Sequence, residues 1–343
     1  MISKYISRLI IGCILILFTA CSILSGTASP GRGVTLRMAR ASWDTGWFQA
    51  QVFEDLLKEL GYEFREIETL GAVEFYFFAA GGDVDFWANG WFPLHQTYLN
   101  YERVASKIEP VGFQVEKGAL QGYLVDKSTA EEFGITNLED FKDPEIAALF
   151  DRDGDGSAEL IGCNQGWGCA GVIDHHLDVF ELRESVNHVQ GDYSELMLIT
   201  IDRFEAGEPV FFYTWTPNWT VSELEVGEDV VWLSVPFSSL PDDPLADTEF
   251  TDLNGCPGNP CNPGFGVNDI RVVANTTFLE LNPAAAKMFE LVVIPLEDIA
   301  AQNAVMAAGE NMDEDIQRHA QQWITENRQV VDQWLAAARM AGN

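Results

Sequence analysis

Apolar residues recur at three- and four-residue intervals over residues 47–60. Val52, Phe53, Leu56, Leu57 and Leu60 share one face, and Gly61 stands at the stop. This spacing predicts an amphipathic helix. Residues 34–41 alternate as a first strand and residues 62–67 read as a second. Residues 72–80 are apolar enough for a short helix, closed by Gly81-Gly82, and residues 84–88 form a third strand. The order β-α-β-α-β predicts an α/β lobe with a largely parallel sheet.

A second set of elements begins at residues 118–126, a strand reading GALQGYLVD. Two short helices follow at 128–133 and 138–141, each opened by a capping residue, Ser128 and Asn137, and a third spans 143–150. Residues 170–182 read as a helix, and 209–216 (PVFFYTWT), 230–235 and 271–274 as strands. Residues 251–266 form a Pro-, Gly- and Asn-rich loop. The chain ends in helices, where Trp323, Ile324, Val331, Trp334 and Leu335 fit a buried face.

Composition narrows the function classes. The chain has 343 residues, 47% of them hydrophobic, enough for two lobes with their own cores. Acids outnumber bases 53 to 20, for a net charge of −33. A nucleic-acid partner is therefore excluded, because phosphate binding needs a basic face. The acids are scattered, as on a heavily solvated surface.

The first residues set the compartment. Lys4 and Arg8 precede an apolar run over residues 9–18, too short to span a bilayer and ordered as a signal peptide. Phe18-Thr19-Ala20-Cys21 resembles a bacterial lipobox, with Cys21 as the lipidated residue, although Phe18 departs from the usual leucine. Ordinary cleavage near Ala28 is the alternative. Either product is exported. Residues 22–33 are small and polar and read as a flexible tether. Apart from Cys13 and Cys21, the cysteines form two close pairs, Cys163 with Cys169 and Cys256 with Cys261, which an oxidising compartment would close. Neither pair has the spacing of a metal site.

Candidate chemistry concentrates at residues 162–174, GCNQGWGCAGVID. Trp167 gives an aromatic face. Gly168 and Cys169 give backbone N–H groups at a helix start, where the dipole favours an anion. A zwitterion with a bulky cation and a carboxylate suits this turn; a stapled surface loop whose tryptophan packs on the core is the other reading. Asn89-Gly90-Trp91-Phe92-Pro93-Leu94-His95 follows a strand, where α/β sheets bind ligands, though His95 taken singly reads as structural. Trp215 ends another strand. A quaternary ammonium has no N–H to donate, so it is held by cation–π contact and shape, and an aromatic cage is the expected solution. The run from Asp151 to Glu159, DRDGDGSAE, resembles half of an EF-hand loop, but the twelfth position is Gly162, and an acidic turn fits better than a calcium site. Asp174, His175, His176 and His188 are the material for an enzyme. The first three are successive on a helix and point apart, and no nucleophile, base and orienter can be assembled.

GCNQGWGCAG, FYTWTPNW, NGWFPLHQ, QGYLVDK, DVVWLSVPFSSLP and NPAAAKMFE together resemble the ProX-type glycine betaine/proline betaine-binding proteins of ABC importers, from about Gly61 to the C-terminus. The resemblance implies an α/β, type II periplasmic-binding-protein fold, with two lobes, two hinge crossings and a ligand cleft. It implies that Trp91, Trp167 and Trp215 form the cage, that His95, Gly168 and Cys169 bind the carboxylate, and that Cys163 and Cys169 are bridged. The expected layout is a signal peptide at 1–20, a tether at 21–33, lobe one at 34–121 and 270–343, and lobe two at 122–269. The expected function is capture of glycine betaine and delivery to a membrane permease, by a monomer needing no cofactor or metal and performing no catalysis. Choline, proline betaine, dimethylsulfoniopropionate and ectoine are the alternative ligands; a metal-dependent enzyme and a chemosensory or structural role are the other classes. Two features depart from the family pattern. ASWDTGW at residues 41–47 adds Trp43 and Trp47, with Trp43 either a fourth wall or a packing residue, and the loop with Cys256 and Cys261 reads as an insertion with its own disulfide.

Overall fold

The computed structural model describes residues 29–241 and 247–342. The signal peptide, Cys21 and most of the tether lie outside the described residues.

The described residues form eleven strands: β1 (Thr35–Leu36), β2 (Ala39–Ala41), β3 (Glu63–Phe64), β4 (Glu68–Leu70), β5 (Phe86–Phe92), β6 (Ile108–Asp126), β7 (Ala158–Ile161), β8 (Val186–Val189), β9 (Phe211–Thr216), β10 (Val230–Leu233) and β11 (Asn268–Asn275). In the first half of the chain the parallel expectation holds for short ladders, β1 with β3 and β2 with β4. The main sheet is mixed, in the order β5-β11-β6-β9-β7-β8, with β10 also on β6. β11 and β9 each pair antiparallel to β6, whereas β7 is parallel to β8 and β9.

β6 is the member that joins the two halves. Its first part, Ile108 to Ala119, pairs with β11, and its last part, Leu120 to Val125, pairs with β9. At 19 residues it is far longer than the stretch 118–126 that the sequence suggests. Gly112 and a left-handed Lys117 fall where the ladder shifts register against β11, between Val111 and Val115 and between Val115 and Ala119, while Pro110 stays in register opposite Val273.

Two apolar cores flank this strand. In the first, helix Trp47–Glu59 buries Phe48, Val52, Phe53, Leu56 and Leu57, the face its spacing predicts. Phe53 and Phe86 both meet Phe289, and Phe75 stacks on Trp87 with centroids 4.2 Å apart. The C-terminal helices Asp313–Glu326 and Arg328–Ala341 pack against this half, with Trp323 and Trp334 buried. In the second, Phe141 stacks on Phe211 at 4.1 Å, with Phe150 beside them. Each such fully buried side chain contributes roughly 1.5–3 kcal/mol.

Local corrections have simple causes. Helix Lys127–Phe133 is capped by Asp126, not Ser128: the Asp126 carboxylate accepts from the Thr129 N–H at 2.8 Å and the Ser128 hydroxyl also donates to it. A carboxylate is the stronger acceptor at a helix start. Asn137 caps the turn Leu138–Lys142 as expected. The helix expected at 143–150 is a single turn, Pro144–Ala147. Both disulfides are formed, with Cα separations of 5.8 Å for Cys163–Cys169 and 6.1 Å for Cys256–Cys261. The second loop lies against β10, its Gly255 carbonyl accepting from the Trp232 N–H. No helix among the described residues is long and apolar enough to cross a membrane.

Candidate functional site

Helix Gly168–Val179 begins two residues earlier than its apolar pattern suggests, so Gly168 and Cys169 occupy its first two positions. The preceding Trp167 offers no side-chain cap. The first N–H groups of a helix have no intrahelical acceptor, and here they sit at its positive end. The Cys163–Cys169 bridge ties this end to the strand before it.

β5 runs on past Ala88 to Phe92, so Asn89, Gly90 and Trp91 belong to the strand rather than follow it. Gly90 is there because β11 presses on it: a Cβ would lie 2.2 Å from a Val273 methyl. Just beyond, the chain folds so that His95 returns onto Trp91. The His95 N–H donates to the Trp91 carbonyl at 2.6 Å, and the Trp91 N–H donates to His95 Nδ1 at 3.2 Å. An accepting Nδ1 fixes the tautomer, leaving the proton on Nε2. His95 is 2% exposed, and desolvation lowers its pKa to about 3. It is a neutral donor at physiological pH.

Trp43, Trp91, Leu94, His95, Gln121, Trp167, Gly168, Cys169, Tyr213 and Trp215 line one cavity of about 30 Å3. All six residues expected to bind ligand are therefore brought to one place. Trp43 joins them as a wall rather than a distant packing residue. Its ring meets Trp167 edge-on at 5.4 Å, and Trp167 meets Trp215 edge-on at 5.7 Å. Trp47 does not take part; its N–H donates to the Ala41 carbonyl and Arg40 lies over its ring at 4.2 Å.

Every indole N–H of the cavity is anchored away from the ring faces. Trp43 and Trp91 both donate to Asn89 Oδ1, at 2.6 Å and 2.8 Å. Trp167 donates to the Ser42 hydroxyl at 2.8 Å and Trp215 to the Thr45 hydroxyl at 3.2 Å. Sequence reasoning missed Asn89, Ser42, Thr45, Gln121 and Tyr213. The only available signal was short polar residues beside tryptophans in ASWDTGW and in Asn89-Gly90-Trp91.

Residues 42–45 also hold the two halves together. Besides those two bonds and the Trp43 ring contact, Asp44 accepts from the Ser194 hydroxyl at 2.9 Å. Burial pushes the Asp44 carboxyl above its ordinary pKa, against the pull of that hydrogen bond. Gly168 lets the halves approach, since a Cβ there would lie 2.9 Å from Leu94 Cγ.

The cavity lining carries no charge, because His95 is neutral and none of the other nine residues ionises at neutral pH in this setting. It offers π-faces at one kind of surface and N–H donors at another. A neutral molecule with internal charge separation matches both.

The remaining candidates lie elsewhere. His176 is fully buried, with Nδ1 against the Tyr123 hydroxyl at 2.7 Å and Nε2 against the Ser239 carbonyl at 2.9 Å, and its pKa is lowered to about 3 by desolvation. His175 pairs with the Ser239 hydroxyl, and His188 with Asp174 at 3.3 Å. His175 and His176 use different atoms of Ser239, its hydroxyl and its carbonyl, while His188 faces Asp174, and among the described residues these groups do not gather as metal ligands. Asp151, Asp153 and Asp155 do cluster, but Asp151 accepts from the Gly154 and Gly156 N–H groups and Asp155 from Ser157 and Asn187. That is a self-satisfied acidic turn.

The two buried neutral histidines predict a pH dependence of stability. Unfolded histidine titrates near pH 6.5, whereas His95 and His176 resist protonation down to about 3. Between these values the unfolded chain binds protons that the folded chain does not, so stability falls as pH falls, by about 1.4 kcal/mol per pH unit for each histidine. Denaturant midpoints at pH 7 and pH 5 measure the slope. His176→Gln should flatten it by about one proton; an unchanged slope would contradict the assignment.

Comparison with known proteins places this architecture. Residues 34–326 match the family model of the substrate-binding domain of ABC-type glycine betaine transport systems. The glycine betaine/proline betaine-binding periplasmic protein of Escherichia coli is 43% identical over 312 residues, covering 91% of this chain and 92% of the relative. The glycine betaine-binding periplasmic protein OusX of Dickeya dadantii is 43% identical over 313 residues, with the same coverage. Among solved structures, the glycine betaine, L-proline-binding protein of Borrelia burgdorferi superposes with a TM-score of 0.68 at 17% identity, covering 90% of this chain and all of that one. Lactococcal OpuAC in its closed form with glycine betaine gives 0.65 at 16% identity, over 88% of this chain and 99% of that one. Both share the two-lobed binding-protein fold.

Proposed function

Since this chain belongs to the family of substrate-binding domains of ABC-type glycine betaine transport systems, we propose that it captures glycine betaine or a close methylated zwitterion between its lobes and delivers it to a membrane permease. The observation that carries the ligand class is the lining: four tryptophans, no charged side chain, and N–H donors. A trimethylammonium group is held against the faces of Trp91, Trp167 and Trp215, with Trp43 as a fourth wall. The carboxylate is received by His95 Nε2 and the N–H groups of Gly168 and Cys169. A simple cation would leave those donors unpaired, and the cavity has no carboxylate to balance it. Choline is therefore expected to bind more weakly than glycine betaine.

Lobe one (34–121 and 270–343) supplies Trp43, Trp91 and His95, and lobe two (122–269) supplies Trp167, Gly168, Cys169 and Trp215. The two parts of β6, one on β11 and the other on β9, support this division. Ligand contacts are complete only when the lobes meet, so ligand shifts the population towards the closed arrangement. No bond is made or broken in the ligand. The protein acts as a monomer outside the cytoplasmic membrane, held by lipid at Cys21; the periplasmic address of its relatives, the two disulfides and the lipobox-like stretch support its export.

Calorimetry against glycine betaine, proline betaine, choline, dimethylsulfoniopropionate and ectoine tests the reading. The carboxylated quaternary ammoniums should bind tightest. Choline binding as tightly as glycine betaine would remove the anion end from the account.

A further inference from the structure

The cavity has a polar floor that the cage and the helix start do not account for. Gln121 on β6 and Trp215 on β9 are direct cross-strand partners, so their side chains leave the same face of the sheet, and Tyr123 and Tyr213 form the next partner pair on that face. Gln121 and Tyr213 both line the cavity. The Tyr213 hydroxyl donates to Gln121 Oε1 at 2.6 Å. That bond orients the amide, turning its acceptor to the tyrosine and leaving its N–H donors on the other side. Gln121 is 2% exposed, and among the described residues nothing accepts from its Nε2. A buried amide donor without a partner is costly, and protein interiors rarely keep one without a use for it.

The ligand has a matching surplus. An ionised carboxylate presents two oxygens with about four lone-pair positions. His95 Nε2, the Gly168 N–H and the Cys169 N–H supply three donors. We infer that Gln121 Nε2 is the fourth, a specificity-determining donor to an oxygen of the bound zwitterion, held in place by the Tyr213 hydroxyl. This rests on the reading of the cavity as a zwitterion site. It deepens that reading: the cavity selects a ligand that carries an oxygen acceptor to its floor, and a quaternary ammonium with only alkyl substituents leaves Gln121 unpaired.

The test uses the full-length protein, glycine betaine as the probe, and Gln121→Met and Gln121→Glu. The Met variant keeps the length and loses the donor. The Glu variant keeps the acceptor for Tyr213, so it guards against a simple failure to fold. Each is expected to raise the Kd for glycine betaine roughly tenfold or more, as for loss of a hydrogen bond to a charged group. The second readout is the side-chain amide proton signal of Gln121, identified by its disappearance in Gln121→Met. In the wild-type protein it should move downfield when glycine betaine is added, which a merely structural glutamine would not do. A Kd within twofold of wild type in both variants overturns the inference, as does weakened binding with that amide signal unmoved. Absence of any binding heat from glycine betaine in the wild-type protein is the separate result that overturns the zwitterion reading itself.

Discussion

Trp215→Ala is expected to lower glycine betaine affinity about a hundredfold. The indole is 4% exposed and packs on Tyr193 at 4.6 Å and on Trp167 at 5.7 Å. Its loss removes one desolvated cation–π wall, about 2 kcal/mol. It also removes the hydrogen bond from its N–H to Thr45 across the cleft, about 1 kcal/mol. Together these amount to about 3 kcal/mol, or two powers of ten in Kd. Trp215→Phe should recover part of the loss, because it restores a π-face without the cross-cleft bond. Calorimetry on both variants decides the matter: undiminished affinity in Trp215→Ala would end the cage account.

Asn89→Leu is expected to destabilise the protein more than any single wall substitution. One carbonyl oxygen accepts from two buried indoles, Trp43 and Trp91. Leucine leaves both N–H groups without an acceptor, at about 1–3 kcal/mol each. A loss of about 2–6 kcal/mol is a large share of the 5–15 kcal/mol typical of a folded domain. Adding Trp43→Phe to Asn89→Leu deletes one of the stranded donors, so the double variant should regain stability relative to Asn89→Leu alone. Thermal unfolding of the three proteins measures this. Should the double variant be the least stable, Asn89 is not acting through those two N–H groups.

Asn89 also shows where reading the sequence stops. Periodicity located helix Trp47–Glu59 to within a residue, because every turn of its inner face carries an apolar residue and a glycine follows its end. The tryptophans that line the cavity were legible because each sits beside a glycine, a proline or a strand end. Asn89 and Gly90 read as the stretch after a strand, yet they lie inside β5, where Gly90 answers to Val273, nearly two hundred residues away. No local pattern carries that information. The same holds for β6, whose length depends on β11 shifting register around Gly112 and Lys117. Ser42, Thr45 and Gln121 are ordinary polar residues whose roles appear only when the fold sets them against an indole or a tyrosine. Trp43 could be noticed but not assigned, since wall and packing residue have the same local signature.

Residues 42–45 bear on how long a captured molecule stays. In the proposed closure, their four contacts with Trp167, Ser194 and Trp215 form only as the cleft shuts. An arriving ligand meets an open cleft in which none of them has formed, so they leave the rate of capture alone. A departing ligand has to wait until all of them part together. They therefore lengthen residence time, as interactions formed after encounter generally do. A receptor that holds its cargo in this way gives it up promptly only when something else draws the lobes apart. Handover to the membrane partner is then a mechanical event at the rim of the cleft.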